Sequence, residues 1–336
     1  MCRVSAYENC HEETKNDEYC LFHKPNKDEN ESKEFYREFI KRFKPKISDI
    51  CPINLLKERK VDIKRLGFDI KVDLLKKKAL IFEEEVNCRG YVFPEVPSDI
   101  EEGFFEFAIF KDSARFDWAI FKGKAWFICA TFEKDVGFRY TTFETGTRFN
   151  GCSFKGKVSF AGSKFKLIRG LDESIFDLPD SEAEALRIQR MCYEEEGRKE
   201  DADNTFVKER RALRRARVYN AKKKSVILFT ISSISSIIEY FLADLTCKYG
   251  TDWIRPVILW VFSVFFLFPL LYWILKGVEV HSIFDYIYFS IITATTLGYG
   301  DFHPVRIGKA IASIEAIFGT FMWTVFLVVF TRKYMR

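Results

Sequence analysis

Residues 116–170 read FDWAIFKGKAW, FICATFEKDVG, FRYTTFETGTR, FNGCSFKGKVS and FAGSKFKLIRG, eleven residues each, every segment opening on phenylalanine with a second one five places on. With the flanking positions, phenylalanine falls at 110, 116, 121, 127, 132, 138, 143, 149, 154, 160 and 165, so the step alternates between six and five. Steps of that size rotate far around a 3.6-residue turn and leave no continuous apolar face on a helix. A flat strand fails too, because odd and even steps point to opposite faces. A quadrilateral β-solenoid satisfies the pattern. Each Phe points inward from the centre of one face, Ala119, Ala130, Thr141, Cys152 and Ser163 take the inner corners, and two repeats close one coil.

This periodicity, from about residue 105 to 165, resembles the Phe-centred variant of the pentapeptide-repeat family. The resemblance implies a right-handed β-helix, and a solenoid is a scaffold or interaction surface far more often than a catalytic site. Cys129 and Cys152 are accounted for as corner or core residues, and no carboxylate pair, nucleophile constellation or phosphate-binding glycine loop stands out. The solenoid is expected over 101–177, and the chain is not expected to be an enzyme.

Working toward the N-terminus, 31–100 reads as a mixed cap. Phe35, Phe39, Ile40 and Phe43 recur at helical spacing, Pro45 and Pro52 interrupt it, and Ala79–Phe82 and Gly90–Phe93 read as short strands. Segment 1–30 carries Cys2, Cys10, Cys20 and His23. Three thiolates and one imidazole make a tetrahedral Zn²⁺ set able to fold a segment with few apolar residues. His11 is the alternate ligand; the plainer account is three cysteines falling together by chance with His23 at the surface. Nine cysteines behind a charged, polar N-terminus argue for a reducing compartment rather than a disulfide scaffold.

Toward the C-terminus, 178–224 reads as a helical connector. Ser181 and Glu184 form a capping-box signature for a helix over about 182–196, Gly197 stops it, and a second helix runs over about 201–224. Between Lys208 and Lys224 nine Lys or Arg stand against one acid. A solvated face, a nucleic-acid stripe or a localisation signal would all look alike by composition. Their position directly before apolar sequence favours the cytoplasmic side of a membrane, with anionic lipid headgroups as partners at roughly 1 kcal/mol per charge, and no nucleic acid. Residues 225–250 follow as an amphipathic segment, with Ile227, Ile231, Ile234, Ile238, Phe241 and Leu245 on one side and Ser232, Ser233, Ser235, Ser236 and Glu239 on the other. That pattern suits a helix lying in the interface, and a third span would put the basic run and the thiolates outside.

The remaining 251–336 reads as a pore domain. Residues 256–275 are long enough to span the hydrocarbon core, with Pro269 as an expected kink and Trp253, Arg255, Tyr272 and Trp273 as interfacial anchors. Ser282-Ile-Phe-Asp285 opens a helix to residue 294 that is too short to cross, and 307–330 forms the second span. Between them lies Thr295-Thr296-Leu297-Gly298-Tyr299-Gly300-Asp301. Four copies of such a loop can ring a dehydrated K⁺ with backbone carbonyls and the Thr296 hydroxyl, provided Gly298 and Gly300 take backbone angles that other residues avoid. Tyr286, Tyr288 and Phe289 are candidates for an aromatic cuff around the filter. Glu315 is deep enough to need polar cover behind the pore helix or filter, and Gly319 serves either close packing or bending.

Span, pore helix, filter, Pro304 and span, in that order from Trp253, resemble the two-transmembrane potassium channels. The resemblance implies a homotetramer in the cell membrane with both termini cytoplasmic. It places Thr296, Leu297, Gly298, Tyr299 and Gly300 at the ion sites, Thr295 and Asp301 in their support, and Gly319 near a gating hinge. Ile292 stands where some bacterial members have a pore-helix Glu, which leaves Asp301 without that partner. The whole chain is similar to prokaryotic channels that fuse pentapeptide repeats to such a pore, gated from the repeat domain by a ligand the sequence does not identify. Two other functions fit the sequence: a weakly selective cation channel, and a membrane-tethered repeat module whose pore is vestigial.

Overall fold

The computed structural model describes residues 2–48, 79–97, 104–280 and 282–335, so Pro52 and the expected helical cap beyond Ser48 lie outside the described residues. The chain divides into two compact units, Met1–Lys223 and Lys224–Arg336.

The first unit is a β-solenoid. Two-residue strands stack in parallel at a 22-residue offset, as Ile109 on Thr131 and Ser153 on Ile175 illustrate. One face stacks Phe82, Phe110, Phe132, Phe154 and Phe176, with successive ring centroids 4.8–5.1 Å apart. A second is built on Val86, Ala114, Val136 and Val158, and a third on Phe93, Phe121, Phe143 and Phe165. The fourth pairs Ala125–Trp126 with Thr147–Arg148 and then Ile168–Arg169. Corner residues close the coils: the Thr141 hydroxyl donates to Phe116 O at 2.7 Å, the Cys152 thiol to Phe127 O at 2.9 Å and the Ser174 hydroxyl to Phe149 O at 2.6 Å. Each adds a second donor to a carbonyl that already accepts the backbone N–H three residues on, from Ala119, Ala130 and Cys152 respectively.

The solenoid begins before residue 101. Ala79–Phe82, Val86–Asn87 and Val92–Phe93 pair in parallel with the following coil and belong to it rather than to a separate cap. Two irregularities mask the period in the sequence. Cys88, fully buried, replaces the Phe expected six places after Phe82, and the step from Phe93 to Phe105 is twelve residues instead of six. Helix α1 (Glu29–Phe43), opened by an Asp28–Glu31 capping box, lays Phe35 and Phe39 on this first coil. Lys46–Ser48 then pairs antiparallel with Ala79–Ile81.

At the other end the expected capping box is not formed. Helix α2 (Pro179–Glu195) starts on Pro179 with no side-chain cap. Ser181 and Glu184 face the last coil instead, where Ser181 Oγ accepts from Val158 N at 2.9 Å and Glu184 Oε1 from Phe160 N at 2.7 Å. These backbone donors have no further coil to bond, so the edge strand competes successfully for acceptors that the helix start can forgo with proline at N1. Gly197, at φ +71°, ends the turn before α3 (Lys199–Lys224).

The second unit is helical. Helices α4 (Val226–Leu245), α5 (Ile254–Leu275) and α7 (Gly308–Tyr334) are each long and apolar enough to cross a membrane, one more than the two spans read from sequence. Helix α6 (Ile283–Ala294) is shorter and opens on a Ser282–Asp285 capping box. Pro269 is accommodated by a π turn at Ser263–Leu267, the irregularity a proline with no N–H imposes on the preceding turn. Phe268, Tyr272, Val278, Phe289, Ile292 and Ile311 form the core between α5, α6 and α7.

Candidate functional site

The loop after α6 is held by the end of that helix. Thr296 N donates to Thr293 O at 3.1 Å and Leu297 N to Ile292 O at 3.0 Å. Thr296, Gly298 and Gly300 have φ of +57°, +54° and +80°, so every second residue from 296 to 300 is left-handed. Backbone that alternates in this way turns successive carbonyls toward one side, which an ordinary strand cannot do. A Cβ at Gly298 or Gly300 would meet nothing within 4 Å, so what favours glycine there is the positive φ and not a lack of space. The Thr296 hydroxyl donates to Thr295 O at 2.7 Å, and its lone pairs remain available to a cation.

Beyond the loop, Val278 bridges Pro304 and Val305 N donates to Gly277 O at 2.8 Å, tying the descending chain to the end of α5. Asp301 has a neighbour that the sequence did not suggest: the Tyr288 hydroxyl on α6 lies close to its carboxylate. Tyr288 also meets Phe302 edge-on at 6.0 Å. Phe289 does not join it; it is buried against Tyr272 in the core, so the expected cuff loses that member.

Glu315 is fully buried behind α6 within its own chain. Tyr272 donates to its Oε2 at 2.6 Å, and Ser290 of α6 contacts its Oε1 and, at 2.7 Å, Val264 O. Ser290 lies in an apolar helix, and the side-chain spacing gave no sign that it would meet Glu315. Gly319 packs on the last residue of α6: a Cβ there would fall 2.2 Å from Ala294 O. Helix α7 runs unbroken through this position.

Residues 257–336 match the ion-channel family Ion_trans_2. No curated protein and no solved structure matches the chain. The ion-channel domain thus contains the loop, α6 and α7, and with the apolar helices it makes this a membrane protein. At the foot of the domain, Trp253 packs against Phe326, Phe330 and Tyr334 of α7. Lys248, Tyr249 and Gly250 are consecutive left-handed residues, at φ +44°, +54° and +81°, and Arg332 donates to Tyr249 O at 3.3 Å.

In the N-terminal unit, Cys2, Cys10, Cys20 and His23 bring their ligand atoms within 4.8 Å of one another. The Sγ atoms of Cys2, Cys10 and Cys20 lie 3.6, 3.8 and 2.9 Å from His23 Nδ1. Tetrahedral zinc with ordinary bond lengths sets S···N edges of roughly 3.6 Å, so the donor set fits the ion with a small outward movement of Cys20. His23 Nε2 donates to Arg89 O at 3.3 Å, which leaves Nδ1 as the lone-pair nitrogen facing the thiols. Burial holds the imidazole neutral, its pKa lowered to about 4. His11 is outside the cluster, bonded to Thr14 and Glu38.

Proposed function

We propose that this protein is a potassium-selective channel, conducting passively through a homotetrameric filter formed by Thr296, Leu297, Gly298, Tyr299 and Gly300, with Thr295 and Asp301 in support. The observation that carries the reading is the alternation of backbone hand from 296 to 300, on a loop hung from a short pore helix inside a region matched to an ion-channel family. One chain leaves Leu297 and Tyr299 59% and 70% exposed. Four-fold closure would cover that apolar surface and complete the ring of oxygens that replaces the hydration shell of K⁺.

Barium-sensitive K⁺ flux from protein reconstituted in liposomes tests conduction, and its absence would return the pore to a vestigial role. Reversal potentials under bi-ionic K⁺/Na⁺ conditions separate a selective pore from a weakly selective one. The Cys2, Cys10, Cys20 and His23 set holds a structural Zn²⁺ in this reading, and the basic stretch before α4 rests on anionic lipid at the cytoplasmic face of the cell membrane, with both termini on that side. Helix α4 lies in the interface rather than across it, so that α5 and α7 are the two spans.

Gating acts from the solenoid unit through α4 on the foot of α7, where Arg332 and the left-handed Lys248–Gly250 elbow join the two helices. Deleting residues 1–180 is expected to change open probability in single-channel records while leaving the permeability ratio alone; unaltered gating would refute this route.

A further inference from the structure

The buried polar cluster around Glu315 contains one hydrogen bond more than its hydroxyl protons can supply. Ser290 Oγ lies within hydrogen-bond distance of two oxygens, Val264 O and Glu315 Oε1. A backbone carbonyl only accepts, and a serine hydroxyl has one hydrogen to give. If that hydrogen goes to Glu315, two bare oxygens face each other across the 2.7 Å to Val264 O. If it goes to Val264, the contact with Glu315 needs a hydrogen from the carboxyl. Tyr272 cannot provide it, because its single hydroxyl proton points to the other carboxyl oxygen, Oε2. Among the described residues the partners of Glu315 are Ser290 and Tyr272, with no cation paired to it. A buried, unpaired carboxylate would carry a large desolvation cost, whereas a carboxylic acid in this place satisfies every polar atom of the cluster.

We infer that Glu315 is a neutral carboxylic acid whose proton is donated to Ser290, so that a directed chain of hydrogen bonds runs from α7 through α6 to the Val264 carbonyl in the π turn of α5. In this chain Ser290 accepts from Glu315 and donates to Val264 O, while Tyr272 donates to the other carboxyl oxygen. The arrangement fixes α6 in rotation about its axis as well as in depth, because Ser290 is gripped from both sides. Thr295 follows Ser290 by little more than one helical turn, and the filter begins there. Glu315 is therefore a positioning residue for the filter. Full burial within one chain means that the cluster is complete before any assembly of subunits.

This inference rests on the channel reading for its consequence but not for its chemistry, and the experiment separates the two. Full-length protein in liposomes is compared with Glu315→Gln by infrared difference spectroscopy at neutral pH. A carboxylic-acid C=O stretch present in the natural protein and missing from the variant is expected; no such band would overturn the inference. The amide of Glu315→Gln offers an N–H to Ser290 and an oxygen to Tyr272, so its K⁺ flux should stay within about twofold, while Glu315→Ala, which strands both hydroxyls, should lose about tenfold or more. Gln failing as badly as Ala would also overturn it. If the natural protein carries no flux at all, the channel reading falls and the infrared band still decides the proton.

Discussion

Replacing Gly319 by alanine places one methyl group against backbone, where no side chain can yield. The new Cβ would lie 2.2 Å from Ala294 O, 2.9 Å from its carbonyl carbon and 3.0 Å from its Cα. Ordinary contact begins near 3.4 Å, so α7 and the end of α6 must part by about 1 Å. Overpacking of this kind costs about 1–3 kcal/mol per chain. The displaced residue is two places before Thr296, so the strain is delivered to the proposed filter loop and not only to the fold. The expected result for Gly319→Ala is a lower heating midpoint for the purified assembly and a smaller K⁺ over Na⁺ permeability ratio in bi-ionic recordings. A hinge at Gly319 predicts something else: alanine would stiffen the helix and change open probability while permeability ratio and heat stability stayed as they were. That outcome would refute the packing argument, as would a variant unchanged in all three.

Other consequences are open to direct measurement. Metal analysis of the purified protein should give one zinc per chain, and Cys20→Ser or a strong chelator should remove it and lower the melting temperature of the N-terminal unit; a metal-free protein of unchanged stability would remove the zinc assignment. Phe127, fully buried with Phe105 and Phe149 stacked at 5.1 and 5.2 Å, should cost about 3–5 kcal/mol as Phe127→Ala, read as a lower urea midpoint. Arg332→Gln weakens the bond to Tyr249 O and is expected to shift open probability at constant permeability ratio in single-channel records. Glu184→Ala should destabilise the solenoid by about 1–3 kcal/mol in the same urea titration, since it leaves Phe160 N without its acceptor.

The parts of this molecule that were legible in the sequence share one property: they are dictated locally or by strict repetition. Phe110 to Phe165 point inward because the coil has a fixed length, and the step of six and five records it. Gly298 and Gly300 are legible because a left-handed backbone leaves few residues to choose from. The clustering of Cys2, Cys10, Cys20 and His23 could be named because thiols and imidazole are scarce and their chemistry is narrow. What escaped was settled by tertiary neighbours. Ser181 and Glu184 carry the spacing of a helix cap, but an unfinished strand edge stood within reach and took both acceptors. Cys88 hid one coil by filling a Phe position with a smaller apolar group. The neighbours of Glu315 and Asp301, namely Ser290, Tyr272 and Tyr288, are set by how three helices rotate against one another, and no spacing along the chain encodes that.

A parallel solenoid is, in effect, a crystal that grows in one dimension, since an uncovered last coil would present to solvent the same row of donors and the same column of rings on which it was itself laid down. Nothing in the Phe ladder says where growth stops. The antiparallel strand Lys46–Ser48 breaks the lattice direction at one end, and Ser181 and Glu184 of α2 occupy the lattice sites at the other. These few residues therefore set the length of the rod and keep neighbouring molecules from adding to it as further coils.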